Sequence, residues 1–210
     1  EFSCDTTLAE RVEYGRSLAK RDAAANPSVG PKRIELATEA DFEYVNTLGG
    51  VSNANAEIMG ILNGIEGLYV NETALSIMVT YQHSWTTPDP FSGANSELTV
   101  RNFQACWNAN HPQSAVPRDT AHLFTGKAHL LSQGWAFIGV ICSNPNFGYG
   151  MSGYINWSPG RYLVTGHELG HNLGANHVES AQSCANSLMN SQLTGDMPLS
   201  FCQYSRDEVT

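Results

Sequence analysis

The stretch GHELGHNLGANHV, residues 166–178, predicts a metal-binding helix and decides the fold. His167 and His171 are four residues apart, so on a helix they lie one turn apart on the same face, where both imidazoles can reach one metal ion. Glu168 directly follows the first histidine, which places its carboxylate beside the metal without making it a ligand. The first half of the stretch therefore predicts two nitrogen ligands and an adjacent acid.

The second half of the stretch supplies a third ligand. Gly174 has no side chain and can adopt the positive φ that ends a helix in a sharp turn. That turn is predicted to return His177 toward the other two histidines. Three protein ligands leave one position of a tetrahedral zinc ion open, which is typical of catalytic sites, because structural sites are usually closed by four. The alternative, unrelated histidines at a polar helix end, requires five fixed positions to agree by chance.

The spacing His-Glu-x-x-His-x-x-Gly-x-x-His resembles the signature of the metzincin clan of zinc endopeptidases. Met189 lies twelve residues after His177, where that clan carries the methionine of its Met-turn. Within the clan, the chain is most similar to the reprolysin or adamalysin-like group of ADAM-type catalytic domains. The similarity covers residues 32–205, loosely outside the zinc motif, and its supporting stretches are RIELA at 33–37, RDTAHLFTG at 118–126 and the segment 135–142.

Two positions distinguish this chain from related groups. Val178 follows the third histidine, where adamalysins usually carry an aspartate, so the resemblance is to a divergent member. Ser191 lies two residues after Met189, where the astacin and serralysin branches carry a tyrosine that can join the zinc. The resemblance therefore favours the adamalysin-like branch, with one departure beside the third ligand.

The resemblance implies an α/β (α+β) fold of the zincin-like metzincin type. Such a fold has a twisted mixed sheet of about five strands, packed helices and a small C-terminal subdomain after the third histidine. Residues 32–210 are predicted to form this catalytic domain. Residues 1–31 are predicted to be an N-terminal extension and linker, because the run NPSVGP at 26–31 must break any helix.

Hydrophobic periodicity predicts alternating strands and helices from residue 33 onward. Asp41 is a predicted N-cap, and Gly49-Gly50 is predicted to interrupt the helix that follows. Ser158 and Pro159 are predicted to be the N-cap and first-turn proline of the active-site helix. The predicted strands are 34–37, 75–81, 123–125 and 136–140, and the predicted helices are 41–67, 96–110 and about 160–173.

The predicted chemistry is hydrolysis of peptide bonds, with Glu168 as the general base for a zinc-activated water. By resemblance, the segment 190–199 should line the pocket for the primed side of the substrate. Two alternatives stay open: a catalytically silent module that keeps zinc for stability and binds a partner, and an enzyme for non-peptide amides or esters. Clan members lay an extended peptide antiparallel to an edge strand, which here would be Trp135, Ala136, Phe137, Ile138, Gly139 and Val140.

The cysteines have no metal-ligand spacing, and their scatter favours long-range disulfides in a secreted protein. The resemblance implies that Cys142 pairs with Cys202. Cys106 and Cys184 are then candidates for a second bridge. The count of five leaves at least one cysteine unpaired or paired outside the chain.

A structural calcium ion away from the zinc is also implied by the resemblance. Glu35 and Asp119 would supply its carboxylates, and the region of Cys202 would add a backbone oxygen. The alternative is an ion pair from these carboxylates to Arg33 or Arg118, which needs no metal.

The bulk composition limits the class of partner. The 210 residues fit one generous domain, and a hydrophobic content of 41% is enough for a full core. The formal net charge of −9 disfavours nucleic acid and anionic membrane as partners. The uncharged stretch between Lys127 and Arg161 is interrupted too often by Gly, Asn, Pro and Ser to span a membrane. We therefore expect a secreted, processed monomer that acts on protein or peptide substrates.

Overall fold

The computed structural model describes residues 32–130 and 132–209. The predicted extension, residues 1–31, lies outside the described residues. In chain order the elements are β1 (Lys32–Ala40), α1 (Phe42–Thr47), α2 (Val51–Thr73), β2 (Leu75–Ser84), α3 (Ser96–Asn110), β3 (Thr120–Thr125), β4 (Gly134–Ala136), a 3-10 helix (Pro145–Phe147), β5 (Tyr149–Gly153), α4 (Ser158–Leu173), a second 3-10 helix (Ser180–Gln182) and α5 (Gln203–Val209).

The five strands form one mixed sheet in the order β2-β1-β3-β5-β4. β1 pairs in parallel with β2 and β3, and β3 pairs in parallel with β5. Parallel pairing needs crossover connections, which α2 and α3 supply. β4 is antiparallel to β5 and forms one edge of the sheet. The mixed sheet with packed helices implied by the resemblance is confirmed.

Alternating side chains give the sheet two apolar faces. On β1, Leu36 belongs to the core shared with α2 and α4, whereas Ala37 belongs to the core shared with α3. On β3, Phe124 and Leu123 divide between the two cores in the same way. The sheet therefore lies between α2 and α4 on one face and α3 on the other. This layering places α4 against β4 and β5, at the edge of the sheet.

The start of the first helical region is as predicted. Asp41 is the N-cap of α1, and its Oδ1 accepts a hydrogen bond from the Tyr44 N–H at 2.8 Å. Gly49 and Gly50 both have positive φ and separate α1 from α2. The second helix then continues to Thr73, beyond the predicted end, because apolar residues keep recurring on its buried face.

The start of α4 differs from the prediction. Trp157 is the N-cap, and Ser158 is already the first helical residue, so its side chain does not cap the helix. Pro159 lies in the first turn, where its fixed φ suits a helix. In the described ranges, no helix has the length and apolar character needed to cross a membrane.

The predicted strand over Trp135–Val140 is wrong in its second half. Gly139 has a φ of 66°, which turns the chain out of the sheet. The N–H of Gly139 then donates to the carbonyl of His171 at 2.8 Å, and that of Val140 to the carbonyl of Asn172 at 2.9 Å. These carbonyls lie in the last turn of α4, where helical partners are lacking. The segment therefore caps α4 and does not extend β4.

The disulfide differs from both predicted pairs. Cys184 is bonded to Cys202, whereas Cys142 was expected to pair with Cys202 and Cys106 with Cys184. Cys184 and Cys202 both pack in the core below the sheet, while Cys106 packs against the opposite core with α3. The sheet thus separates one predicted pair. Spacing alone does not determine connectivity, which is why the sequence did not exclude these pairs.

Replacing both Cys184 and Cys202 by serine is expected to lower the free energy of unfolding by about 3 kcal/mol. The bridge joins residues with a sequence separation of 18, so it restricts the unfolded chain. Urea denaturation should show a lower midpoint and, because the unfolded chain expands further, a somewhat steeper slope. Cys106→Ser is the control and should change little, because Cys106 is only partly buried and forms no disulfide. An unchanged midpoint in the double variant would contradict a stabilising bridge.

Candidate metal centre

α4 carries two histidines on its buried face. The rings of His167 and His171 are almost fully buried, with centroids 4.6 Å apart. Gly174 follows the last helical residue with a φ of 113°, in the left-handed region. Its N–H donates to the His171 carbonyl at 2.9 Å, which closes the helix. The reversed chain brings His177 against the other two histidines.

The three imidazoles direct their Nε2 atoms toward one point. The Nε2 of His177 is 3.1 Å from the Nε2 of His167 and 3.1 Å from that of His171. The Nδ1 of His167 lies 2.7 Å from the carbonyl oxygen of Leu188, and the Nδ1 of His171 lies 2.7 Å from that of Ala175. Because a carbonyl oxygen only accepts, each of these Nδ1 atoms carries the proton. The Nε2 atoms of His167 and His171 therefore each keep a lone pair that can bind a metal.

Burial keeps the imidazoles neutral. It lowers the pKa of His167 to about 4 and the pKa of His171 to about 3, and partial desolvation by the neighbouring rings lowers the pKa of the more exposed His177. Neutral imidazole is the form in which histidine binds a metal. The Nε2 lone pairs of His167 and His171 both face the Nε2 of His177 at 3.1 Å, so one cation could be held by all three rings. The donor set therefore fits a zinc ion that keeps one open position.

Glu168 lies on α4 between the two helical histidines, with its carboxylate buried. Its Oε2 has no hydrogen-bond partner among the described residues, and burial raises its pKa well above the ordinary value of glutamate. Its Oε1 lies against the main chain of β4, where a Cβ added at Gly134 would be 2.2 Å away. A buried carboxylate oxygen without a protein partner costs free energy, which is typical of a reactive group and not of a structural one.

The Met-turn packs beneath the histidines. Met189 is fully buried, and a Cβ added at Gly170 of α4 would lie 2.8 Å from its Sδ. The carbonyl of Met189 accepts from the Val178 N–H at 3.0 Å, and the preceding carbonyl, that of Leu188, orients the His167 ring. The turn therefore holds both ends of the ligand-bearing segment. The need for a small residue at position 170 was missed by sequence reasoning, because it depends on this contact.

The departure at Val178 is accommodated by its neighbours. Val178 is fully buried in the core shared with α2 and α4. Asn190 donates from Nδ2 to the Val178 carbonyl, and Glu179 accepts from the Ser191 Oγ at 2.6 Å. Asn190 and Glu179 thus make the polar contacts between the segment that carries His177 and the residues after Met189, while position 178 itself is apolar. From the sequence, Asn190 was predicted only as the first residue of the pocket segment 190–199, and Glu179 was not predicted to have a role.

Asn172 joins α4 to the sheet. It is fully buried, and its Nδ2 donates to the carbonyls of Phe137 at 2.8 Å and Tyr149 at 3.1 Å. Its Oδ1 accepts from the Thr120 Oγ1 at 2.8 Å. One side chain thus ties the zinc helix to β3, β5 and the loop after β4. The only signal in the sequence was a polar residue beside a ligand on the buried face.

The two predicted calcium ligands lie side by side, but their carboxylates have protein partners. The Asp119 Oδ2 accepts from the backbone N–H of Glu35 at 2.8 Å, and the Glu35 Oε1 pairs with Arg33 at 3.1 Å. The structure thus contains the ion pair with Arg33 that was the alternative to calcium. Over residues 32–130 and 132–209, the acidic set close enough to share a metal is a different one, and its members all contact the Lys127 Nζ: Asp41, Glu43 and Asp89.

An apolar pocket of about 210 Å³ lies along α4, about one turn before His167. Leu163 and Val164 of α4 form one wall, and residues 193–195, within the segment predicted to line a pocket, form another. Leu163 and Val164 precede His167 by four and three residues, so they share its face of the helix. Trp157 closes one end of the pocket and packs against Gly195.

Known proteins resemble the chain in sequence over most of its length. The model of a reprolysin family, metallo-peptidase family M12, matches residues 30–203. Disintegrin and metalloproteinase domain-containing protein 9 of Homo sapiens is 28% identical over 177 residues, which cover 80% of this chain and 21% of that protein. Disintegrin and metalloproteinase domain-containing protein 1 of Rattus norvegicus is 23% identical over 155 residues, which cover 73% of this chain and 19% of that protein.

The chain spans about a fifth of the length of these curated relatives. A solved structure of a chaperone–substrate complex has a similar fold, with a TM-score of 0.62 and 15% identity over 80% of this chain and 29% of that chain. Identity this low shows the fold alone. The family match includes every histidine of the metal centre and the Met-turn. On this match, the chain belongs to metallo-peptidase family M12 and carries a reprolysin-type zinc metalloendopeptidase domain.

Proposed function

We propose that this domain acts as a secreted endopeptidase that cleaves extended protein or peptide substrates, with Glu168 as general base. The observation that carries the proposal is the convergence of three neutral imidazoles beside a buried carboxylate whose Oε2 has no partner among the described residues. A silent zinc site needs only the imidazoles. The free oxygen is the additional group that hydrolysis requires.

His167, His171 and His177 would hold the zinc ion. When bound, zinc supplies a Lewis acid that polarises a carbonyl and lowers the pKa of water. Glu168 accepts the proton of the attacking water on its carboxylate and then passes it to the leaving amine. The walls of its buried position exclude bulk water, so the carboxylate keeps its orientation through the reaction.

β4 is suited to hold the substrate main chain. It is an edge strand, so a peptide can add to it as a further antiparallel strand, and main-chain hydrogen bonds then give affinity without sequence preference. Gly134, at its start, touches the Glu168 carboxylate, so a peptide along β4 passes the reacting group. The half-exposed Ile138 lies past the end of β4, where it offers an apolar contact to a peptide bound along the strand.

The apolar pocket along α4 suits an apolar side chain of the substrate. Its walls are mainly apolar, and Val164 and Leu163 place it one turn of α4 from His167. The side chain that follows the scissile bond is therefore expected to be aliphatic or aromatic. Secretion is supported by the Cys184–Cys202 bridge, because disulfides persist in oxidising compartments.

Metal removal tests the proposal. The domain should cleave an unfolded, fluorescence-quenched protein offered as substrate. A zinc chelator should abolish this cleavage and one equivalent of added zinc should restore it, because the imidazoles alone polarise no carbonyl. Inhibitors of serine and cysteine proteases form the control and should have no effect. Cleavage that persists in the chelated protein would refute the proposal. A protein that binds zinc and gains thermal stability without cleaving would instead be the silent binding module.

A further inference from the structure

The segment that carries the third histidine is held from outside the zinc motif. Glu208, on α5, accepts the backbone N–H of Asn176 on Oε2 at 2.9 Å and its side-chain amide on Oε1 at 2.7 Å. Asn176 directly precedes His177. A single carboxylate thus fixes both the main chain and the side chain of the residue next to the ligand. Hydrogen bonds to an ionised carboxylate are stronger than neutral ones.

α5, which carries Glu208, is held in place by contacts with the rest of the domain. Ser205 and Val209 bury one face of the helix against the domain. Just before α5, the carboxylate of Glu72 on α2 accepts the Phe201 N–H at 2.9 Å. The bridge between Cys184 and Cys202 ties the same region to the loop after the third histidine. Glu208 therefore extends from a helix whose position is set by contacts distant from the metal centre.

His177 depends on its main chain more than the other two histidines do. His167 and His171 are buried, and each has its Nδ1 bonded to a carbonyl. His177 is exposed, and within the described part of the chain its ring nitrogens lie near only the Nε2 atoms of the other two histidines. Its orientation is then set by the main chain on either side. The Val178 N–H is held by the Met-turn on one side, and Asn176 is held by Glu208 on the other.

We infer that Glu208 is a positioning residue for the zinc site: through Asn176 it holds His177 in place to complete the set of three ligands. The inference rests on the proposed zinc site and not on peptide cleavage. Mutating residues that orient metal-binding histidines without binding the metal themselves typically lowers metal affinity 10- to 100-fold. Because Glu208 acts through the main chain and lies near the surface, the effect belongs at the lower end of that range.

The zinc dissociation constant of purified protein, measured by competition with a chromogenic chelator, tests this role. Glu208→Ala is expected to raise it about tenfold. Asp207→Ala is the matched control, because it removes a carboxylate of the same helix whose partner, among residues 32–130 and 132–209, is the Gln203 side chain at 2.6 Å. Apo unfolding temperatures are recorded first, so that every variant is compared where it is folded.

An exchange of the pair separates positioning from general stability. Asn176→Asp places two carboxylates together and should weaken zinc binding. Adding Glu208→Gln should restore it, because the new amide donates to the new carboxylate while its oxygen still accepts the backbone N–H. Recovery in the exchanged pair is the expected result. Zinc binding by Glu208→Ala equal to that of Asp207→Ala, or no recovery on exchange, would overturn the inference, whatever the cleavage assay shows.

Discussion

Glu168→Gln is expected to lower kcat about a thousandfold while the protein keeps its zinc. Glutamine has the shape of glutamate, so the packing of the buried side chain is retained. Its amide cannot take a proton at neutral pH, so the general base is lost. The histidines keep their Nδ1 contacts to the Leu188 and Ala175 carbonyls, which leaves the ligand geometry unchanged.

Steady-state kinetics on a quenched peptide, with zinc content by atomic absorption, measure both halves of this prediction. Glu97→Gln is the matched control, because it makes the same change on α3, where the carboxylate pairs with Arg101 at 2.9 Å. That variant should retain full activity. If Glu168→Gln cleaved at the original rate, another group would have to be the base; loss of zinc would mean that the carboxylate helps to hold the metal.

Gly134→Ala is expected to lower kcat about a hundredfold, since small misplacements of a reacting group can cost that much. The new Cβ would lie 2.2 Å from Oε1, 2.7 Å from Cδ and 2.8 Å from Cγ of Glu168. Three atoms of one side chain must therefore move, and the surroundings of the buried carboxylate leave little room. The backbone at 134 is ordinary strand, so the fold itself tolerates alanine.

The control for Gly134→Ala is Gly67→Ala on α2, where an added Cβ meets nothing within 4 Å. Alanine should stabilise that helix by up to about 1 kcal/mol and leave kcat unchanged. Combining Gly134→Ala with Glu168→Gln gives a stricter test. If position 134 acts only through the base, the double variant should be no slower than Glu168→Gln alone. A further hundredfold loss would show that the alanine damages something else, such as substrate binding on β4.

The metal centre was predictable because its parts are close in sequence. The spacing of His167 and His171 indicates a helix, and Gly174 indicates the turn that ends it. Local rules were therefore enough to predict the three ligands. Glu168 was predicted as the general base from its place next to His167, which is also local information. Gly134 and Glu208 touch the site from distant parts of the chain, so no local spacing marks them. Their roles depend on which elements the fold brings together.

The sheet was predicted less completely than the helices. β5 was missed because its sequence, YGMSG, has two glycines and no alternation, and every residue in it is buried. A strand covered on both faces gives no period of two. The strand predicted for 136–140 has the right composition, yet its N–H groups satisfy the end of α4. The disulfide could not be derived, since cysteine spacing leaves the pairing open.

Because the Asn172 side chain bonds to β3, to β5 and to the loop after β4, it fixes the position of α4 relative to the sheet. A peptide bound along β4, as proposed, would then lie at a constant distance from the histidines of α4. If a peptide binds along β4 as proposed, its register on the strand sets which bond reaches the metal centre. A slip of one residue turns every side chain to the opposite face. Each bound register should therefore yield a single cut, so that digestion products form discrete fragments instead of ladders.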